Sequence, residues 1–373
     1  MPSPDVLVLD GETSTALGLV RSLSRKGLSI VVGSSTILGK TNFSRGIKNH
    51  FTYAYSHDHL EKAHLTILEH VKVLRPKVLI PIMNPGWTII YNYYDDYKHL
   101  TTVVPNPGKN LFDNLFDKSF LAEVSEKFGV PIPKTYMPGN IKDALLLIDE
   151  FPYPVLLKPK KGVGGHGIKR VDKKKDLHAA LLGYDTMPII QEFISGEDLE
   201  LTILCIRGEP KAGSAYISLR NYPLPYGPPV ACRTIKDDIF MDLGINFLRK
   251  LSYNGVAHLD FRRDRNDGQA KLLDFNARLA GTNDISLYSG VDFGYLLYKL
   301  SIGENVEPIF EYKLGKEFRW IFGELKHLAK TPKKWRTIRN LSKWQNVTTD
   351  IFMADPLPTI AIIAGRIKRL FTK

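Results

Sequence analysis

The feature that most constrains this chain is a glycine-rich turn between two short β-prone stretches, in residues 155–171. Glycine allows positive φ and lets backbone N–H groups approach an anion closely, and lysine adds point charges for phosphate. A P-loop would need Gly-Lys-Ser/Thr before a helix, and a dinucleotide fingerprint would need a βαβ unit. The pattern predicts a β-hairpin that folds over a triphosphate; the alternative is a solvated hairpin. The turn contains Gly162, Gly164, Gly165, His166 and Gly167, and the lysines before it are Lys158, Lys160 and Lys161.

Composition indicates an ordinary globular protein with room for two or three domains, since the chain has 373 residues, 43% hydrophobic and 24% charged. The first residues lack a basic segment, and no apolar run approaches the length of a membrane span. Cys205 and Cys232 show no metal or redox spacing, so we expect reduced thiols in a cytoplasmic protein.

The positive charge is concentrated at one end of the sequence. The net charge is +12, and residues 313–373 hold 14 Lys/Arg against 4 Asp/Glu, a net of 14 − 4 = +10. Because the remainder is nearly neutral, we expect no nucleic-acid partner.

The first part of the chain reads as a parallel α/β domain, residues 1–110. A strand at Val6–Asp10, a helix through Leu17 and Leu23, and a strand at Leu28–Val32 form a βαβ start. The domain lacks a complete dinucleotide fingerprint, so we expect it to hold substrate or to scaffold the next domain.

A second hairpin carries oxygen ligands. Gly255–Phe261 and Ala270–Phe275 read as its strands, with Asp260 on one arm and Asp274 and Asn276 on the other. Residues two apart share one face of a strand, and Mg²⁺ prefers oxygen ligands. We interpret the three residues as a magnesium site, the alternative being solvated surface acids. Arg278 continues the alternation and is suited to a phosphate oxygen.

These segments, taken in order, resemble the ATP-grasp superfamily, and most closely its branch akin to the carbamoyl-phosphate synthase large subunit and the carboxylate–amine ligases. The resemblance covers roughly residues 1–310 and is carried by the following motifs: Asp117-Lys118, Leu157-Lys158-Pro159, the glycine-rich turn, Gln191-Glu192-Phe193-Ile194, Glu197-Asp198, Asp260-Phe261 and Asp274-Phe275-Asn276-Ala277-Arg278. It implies a two-subdomain ATP-grasp fold in residues 111–312, with a lid subdomain at about 135–195, and leaves residues 313–373 as a basic helical extension.

The resemblance also implies roles for these residues. Lys118 and Lys158 would hold the α- and β-phosphates of ATP, and the turn 162–167 would close over them. Two Mg²⁺ ions, for which Mn²⁺ can substitute, would bind to Asp260, Asp274 and Asn276, and Arg278 would meet the transferred phosphate. A second group would meet the nucleoside: Gln191, Glu192, Phe193 and Ile194 at adenine, and either Glu197 or Asp198 at the ribose. The chain departs from the family's usual Glu-x-Asn-Pro-Arg at Asp274 and Ala277, and Asp260 replaces a more common Glu or Gln.

The implied reaction is that of a ligase. A carboxylate is activated as an acyl phosphate and coupled to an amine, releasing ADP and phosphate. Arg220 and Arg233, which flank a proline-rich loop, are candidates for the acceptor carboxylate, or else surface arginines. His258 shares a strand face with Asp260, and we favour a packed or supporting role for it. The alternatives are a bicarbonate-using carboxylase of the same superfamily, a ligase acting on a cell-surface polymer precursor, and a non-enzymatic basic binding protein.

The basic extension reads as two amphipathic helices, at Phe318–Leu341 and Thr359–Phe371. One hypothesis is peripheral contact with an anionic membrane, at its inner face. The alternative is a helical cap with solvated charges. A homodimer is also compatible with the sequence.

Overall fold

The computed structural model describes residues 3–56, 59–147, 151–162, 165–332, 334–342 and 344–363. Three β-sheets organise this part of the chain. The expected parallel α/β domain is present, and it is followed by two further sheets and by a C-terminal region of helices and short strands.

The first sheet is parallel, with the strand order β3-β2-β1-β4-β5. Its strands are short, and β1 and β4 are completely buried, as expected where helices cover both faces. The expected βαβ start is present, with the second strand placed two residues later than predicted. The strands are β1 (Val6–Val8), β2 (Ile30–Ser34), β3 (Asn49–Thr52), β4 (Val78–Ile80) and β5 (Thr102–Val103), and the helices are α1 (Ser14–Arg25), α2 (Leu60–Leu74), α3 (Asn84–Asn92) and α4 (Tyr94–Tyr97).

Two helices, α5 (Lys109–Leu115) and α6 (Lys118–Phe128), lead to the second sheet. Asp117 caps α6 by accepting a hydrogen bond from the Ser119 N–H at 2.9 Å. Gly129 ends the helix in the left-handed region, with φ of +72°. Lys118 is therefore held at the first turn of α6, as the sequence predicts.

The second sheet is antiparallel, with the order β6-β9-β7-β8, and two short helices cover it. The glycine-rich turn joins β7 to β8, so the predicted hairpin is confirmed. Val163 and Gly164 lie outside the described residues. The elements are β6 (Thr135–Tyr136), α7 (Ile141–Leu147), β7 (Val155–Lys158), β8 (Lys169–Val171), α8 (Leu177–Leu181) and β9 (Ile189–Glu192).

The third sheet has the order β14-β13-β10-β11-β12-β15-β16. The hairpin that carries Asp260 and Asp274 forms one edge, and the two residues are directly opposite in register. The proline-rich loop joins two long strands, β11 and β12, that the sequence reading had not identified. The elements are β10 (Gly196–Ile206), β11 (Glu209–Asn221), β12 (Pro229–Ile235), α9 (Asp238–Lys250), β13 (Gly255–Asp264), β14 (Ala270–Asn276), α10 (Asn283–Ser289) and α11 (Phe293–Ser301).

The C-terminal region combines helices with two strands of the third sheet. The predicted helix from Phe318 was wrong at its start, because Phe318 lies in β15 (Glu317–Arg319), is fully buried and pairs with Cys232. Helices α12 (Ile321–Lys330) and α13 (Lys334–Leu341) follow, then β16 (Val347–Thr349). Residues 357–363 are helical, and the rest of the second predicted helix lies outside the described residues. Among the residues described, none of the helices combines the length and apolarity that a membrane span requires.

Candidate active site

A cavity of about 580 Å³ lies where the three sheets meet. The second sheet contributes Lys158 and the glycine-rich turn, and the third contributes most of the acidic side chains. The first domain adds Ser14 and Met83. Ten of the predicted site residues line this cavity: Lys118, Lys158, Gly162, Gly165, His166, Asp198, Asp260, Asp274, Asn276 and Arg278.

Two lysines lie on one side of the cavity. Lys158 is 5% exposed, and its ammonium donates to Gln191 Oε1 at 2.6 Å. Burial lowers the pKa of Lys158 to about 8, although the nearby Asp274 carboxylate opposes the shift. The Lys118 ammonium donates to the Gly162 carbonyl at 3.2 Å and lies 3.8 Å from Asp274 Oδ1. Both lysines therefore present charge at the foot of the hairpin.

The predicted magnesium ligands share one face of β13 and β14. Asp260 and Asp274 are a register pair, and Asn276 Nδ2 donates to Asp260 Oδ2 at 3.0 Å. Burial raises the pKa of Asp274, and the charge of Asp260 raises it further, while Lys118 lowers it. Two neighbouring carboxylates beside an amide oxygen are the kind of ligand set that suits a hard divalent cation.

Arg278 connects this face with the first domain. Its guanidinium donates to Asn276 Oδ1 at 2.9 Å and to Asn84 Oδ1 at 2.7 Å. Asn84 is the first residue of α3. The arginine is thus oriented by two amide oxygens before any anion reaches it.

The sequence reading missed Glu200 as a residue of the cavity and gave His258 a supporting role. His258 Nε2 lies 3.0 Å from Asp260 Oδ1 and 3.5 Å from Glu200 Oε2, and Nδ1 lies 3.3 Å from Thr202 Oγ1. Burial acts to lower the pKa of His258, but the Asp260 and Glu200 carboxylates leave it raised. Burial raises the pKa of Glu200 to about 8. The sequence signal that could have identified Glu200 is its position two residues after Asp198 on β10, which puts both side chains on one face.

The segment expected to meet adenine links the second sheet to the third. The Glu192 N–H donates to the Lys134 carbonyl at 2.8 Å, and the Phe193 N–H donates to the Pro154 carbonyl at 3.3 Å. Ile194 is buried. Neither these three residues nor Gln191 line the cavity, so the contact of this segment with adenine stays a prediction.

The structure separates the two candidates for the ribose. Asp198 lines the cavity, and its carboxylate accepts a hydrogen bond from Arg262 Nε at 2.6 Å. Glu197 is exposed and points to the other face of β10. Asp198 is therefore the better placed of the two.

The glycine-rich turn packs against the proline-rich loop. Gly165 has φ of +76°, and a Cβ atom there would lie 2.6 Å from the Tyr226 carbonyl oxygen. Gly167 has φ of +75°, and its carbonyl accepts a hydrogen bond from the Tyr184 hydroxyl at 2.6 Å. Glycine adopts these left-handed conformations without strain, and at Gly165 it also leaves room for the Tyr226 carbonyl. His166 lies beside Gly165 at the cavity wall.

Arg220 and Arg233 are placed differently from the expectation that they grip a substrate. The Arg220 guanidinium donates to both carboxylate oxygens of Glu324, at 2.9 and 2.7 Å from Nε, and both side chains are buried. The hydrogen-bonding groups of the Arg220 guanidinium are thus already engaged by the Glu324 carboxylate of α12. Arg233 is half exposed, 4.0 Å from Glu317, and neither arginine lines the cavity.

The residues of the cavity fit ATP and Mg²⁺. A buried lysine, a second lysine and an arginine can neutralise phosphates, and Asp260, Asp274 and Asn276 offer the oxygen ligands that a hard cation prefers. The volume falls within the usual range of small-molecule sites.

Comparison with known proteins agrees with this geometry. Residues 115–282 match the family model described as an ATP-grasp domain. The chain is 26% identical over 204 residues to the D-aspartate ligase of Enterococcus faecium, an alignment that covers 47% of each protein. It is also 26% identical over 212 residues to the D-alanine–D-alanine ligase of Acetivibrio thermocellus, covering 49% of this chain and 56% of that one.

Among solved structures, the chain resembles the biotin carboxylase of Campylobacter jejuni, solved as an ATP complex. The TM-score is 0.68 at 16% identity, and the alignment covers 84% of this chain and 74% of the other. This likeness concerns the fold. The chain spans about half the length of the curated relatives that it matches. Residues 115–282 of this chain are therefore an ATP-grasp domain, as the resemblance of its motifs implied.

Proposed function

We propose that this protein is an ATP-dependent carbon–nitrogen ligase that joins a carboxylate to an amine. One observation carries the proposal: Lys118, Lys158 and Arg278 converge on the same cavity as Asp260, Asp274 and Asn276, within an ATP-grasp domain. The similarity to the D-aspartate and D-alanine–D-alanine ligases supports the reaction class.

In the proposed reaction, a carboxylate oxygen attacks the γ-phosphorus of ATP, the bond to ADP breaks, and an acyl phosphate forms. The amine nitrogen then attacks the carbonyl carbon, phosphate leaves, and the nitrogen loses a proton. Bound Mg²⁺, held by Asp260, Asp274 and Asn276, would supply charge neutralisation for the phosphates.

The chain's own residues would do the remaining work. Lys118 and Lys158 would hold the phosphates of the nucleotide, and Arg278 would stabilise the charge on the transferred group. Asp198 would bind the ribose. The glycine-rich turn would exclude water, which otherwise hydrolyses an acyl phosphate.

Further proposals concern the compartment and the partners of the protein. We infer that the protein works in the cytoplasm, with small-molecule substrates, and meets the inner face of a membrane through its basic extension. The two cysteines are both buried free thiols, which supports the compartment. We also propose a homodimer, which sedimentation equilibrium of the full chain would test.

The deciding experiment is a screen for ADP release with carboxylates and amino acids, alone and paired with amines. With the active pair, a carboxylate labelled with ¹⁸O should transfer one labelled oxygen to the released phosphate. Hydroxylamine in place of the amine should give a hydroxamate. Formation of AMP and pyrophosphate would contradict the acyl-phosphate route, and amine-independent ADP release with bicarbonate would favour the carboxylase alternative.

A further inference from the structure

Helix α13 exposes apolar side chains next to cations. Trp335 is 83% exposed and Ile338 is 44% exposed, while Thr337 lies on the buried side of the helix. Lys334 and Arg339 flank the two apolar residues and are also exposed. Because residues three and four apart share a face, this outer face is both apolar and basic. Exposing large apolar side chains next to each other is unfavourable unless something covers them.

The helical segment 357–363 also exposes apolar side chains, although it contains no cation. Leu357, Ile360 and Ile363 are 46%, 56% and 43% exposed and recur every third residue, whereas Ala361 between them is buried. Met353, just before the segment, is 87% exposed. The segment therefore presents a row of aliphatic side chains outward.

An ionic contact fixes this orientation. The Asp355 carboxylate accepts hydrogen bonds from Arg21 Nε at 2.9 Å, from the Ser44 hydroxyl at 2.8 Å and from the Arg45 N–H at 3.0 Å. All three donors belong to the first domain. The aliphatic row is thus held outward by bonds on its inner side, and its exposure is a property of the fold.

Among the described residues, the exposed charged side chains of α12 and α13 are all basic. The four acids of residues 313–373 are engaged inward: Glu324 with Arg220, Asp355 with Arg21, Glu317 with Arg319, and Asp350 with the Ile321 N–H. The basic side chains Lys326, Lys330, Lys334 and Arg339 are exposed. The outer face is therefore positive as well as apolar.

We propose that this outer face, named here the docking surface, binds an anionic lipid bilayer. It would combine the exposed side chains of α12 and α13, which pack together, with those of residues 353–363, which follow Asp350 and its hydrogen bond from the Ile321 N–H at the start of α12. Exposed tryptophan and aliphatic side chains among cations suit the interface of a membrane with anionic headgroups. A second copy would oppose like charges, and a nucleic acid would leave the aliphatic row in water.

The proposal is independent of the ligase activity, and the full chain tests it. The probes are vesicles of phosphatidylcholine, with and without phosphatidylglycerol. The protein should float with the anionic vesicles and should be released by salt. Trp335→Ser with Ile338→Ser, and separately Leu357→Ser with Ile360→Ser, should weaken the partition by about tenfold or more. Lys334→Gln with Arg339→Gln should weaken the partition mainly at low salt, where the charges are little screened.

A matched control uses exposed apolar residues elsewhere. Ile239 on α9 is 86% exposed and Val73 on α2 is 79% exposed, so Ile239→Ser with Val73→Ser removes comparable apolar surface. This control should float like the unaltered protein. Vesicles with brominated chains should quench tryptophan fluorescence, and Trp335→Phe should remove much of that quenching.

Three results would overturn the proposal. They are absence of the unaltered protein from the anionic vesicles, equal flotation of the docking-surface variants and the control, and self-association that disappears in the docking-surface variants. The last would assign the surface to a second copy.

Discussion

The Arg278 guanidinium donates a 2.7 Å hydrogen bond to the side-chain oxygen of Asn84, across the boundary between the first domain and the ATP-grasp domain. The same guanidinium donates to Asn276 Oδ1. An arginine proposed to meet the transferred phosphate is therefore oriented by a residue nearly two hundred positions away.

Asn84→Ala should lower kcat by about tenfold to a hundredfold, because a hydrogen bond to a charged group contributes about 1.5–3 kcal/mol. The KM for ATP should change little, since the lysines remain. Asn92→Ala is the matched control, as Asn92 lies on the same helix and donates to the Thr88 carbonyl. Equal effects of the two substitutions would show that Asn84 acts only through the stability of α3.

Asp274→Asn should weaken Mg²⁺ binding in the presence of ADP. It should also slow the reaction, because several kcal/mol of transition-state stabilisation would be lost. The charge lost is one of the two that face each other across β13 and β14. Isothermal titration with Mg²⁺ and ADP gives the measurement. Asp267→Asn, in the exposed turn of the same hairpin, should leave binding unchanged; a similar loss there would point to disruption of the hairpin.

Lys158 should make nucleotide binding depend on pH. Its pKa is lowered to about 8 by burial, so the cation is complete below that value and is lost as the pH rises through it. The affinity for ATP should therefore fall between about pH 7 and pH 9. Lys158→Arg should abolish this dependence, because arginine keeps its charge. An unchanged pH profile in that variant would assign the dependence to another group.

Arg220→Ala should destabilise the protein by about 3–5 kcal/mol, because it leaves Glu324 as a buried unpaired charge. Thermal unfolding gives the measurement. Arg220→Met with Glu324→Leu should recover much of the loss. If Arg220→Ala instead raised the KM for the carboxylate with no change in unfolding temperature, Arg220 would belong to the substrate site after all.

The sequence could predict those parts of the site whose residues lie on a single hairpin or at the start of a single helix. Asp260 and Asp274 occupy opposite arms of a short hairpin, so their proximity follows from strand pairing. Lys118 follows its capping residue Asp117 directly. The lysines around the glycine-rich turn could also be predicted, because they belong to a single hairpin.

The parts that could not be predicted depend on which distant strands become neighbours. Glu200 meets His258 because β10 pairs with β13, and Asn84 meets Arg278 because α3 begins beside that sheet edge. Arg220 was recognised as a carboxylate-binding fork, yet its partner is supplied by Glu324 far along the chain. Such pairings are set by tertiary packing. The spacing of residues within one segment does not predict them.

The strand β15 pairs with β12 inside the third sheet, and Asp355 is bonded to the first domain. Residues 317–355 are therefore anchored at two points to the domains that enclose the cavity, and they keep a fixed position relative to it. If the docking surface rests on a bilayer, the mouth of the cavity takes a fixed height and direction above the lipid headgroups. The enzyme would then select substrates partly by how far they reach from that plane.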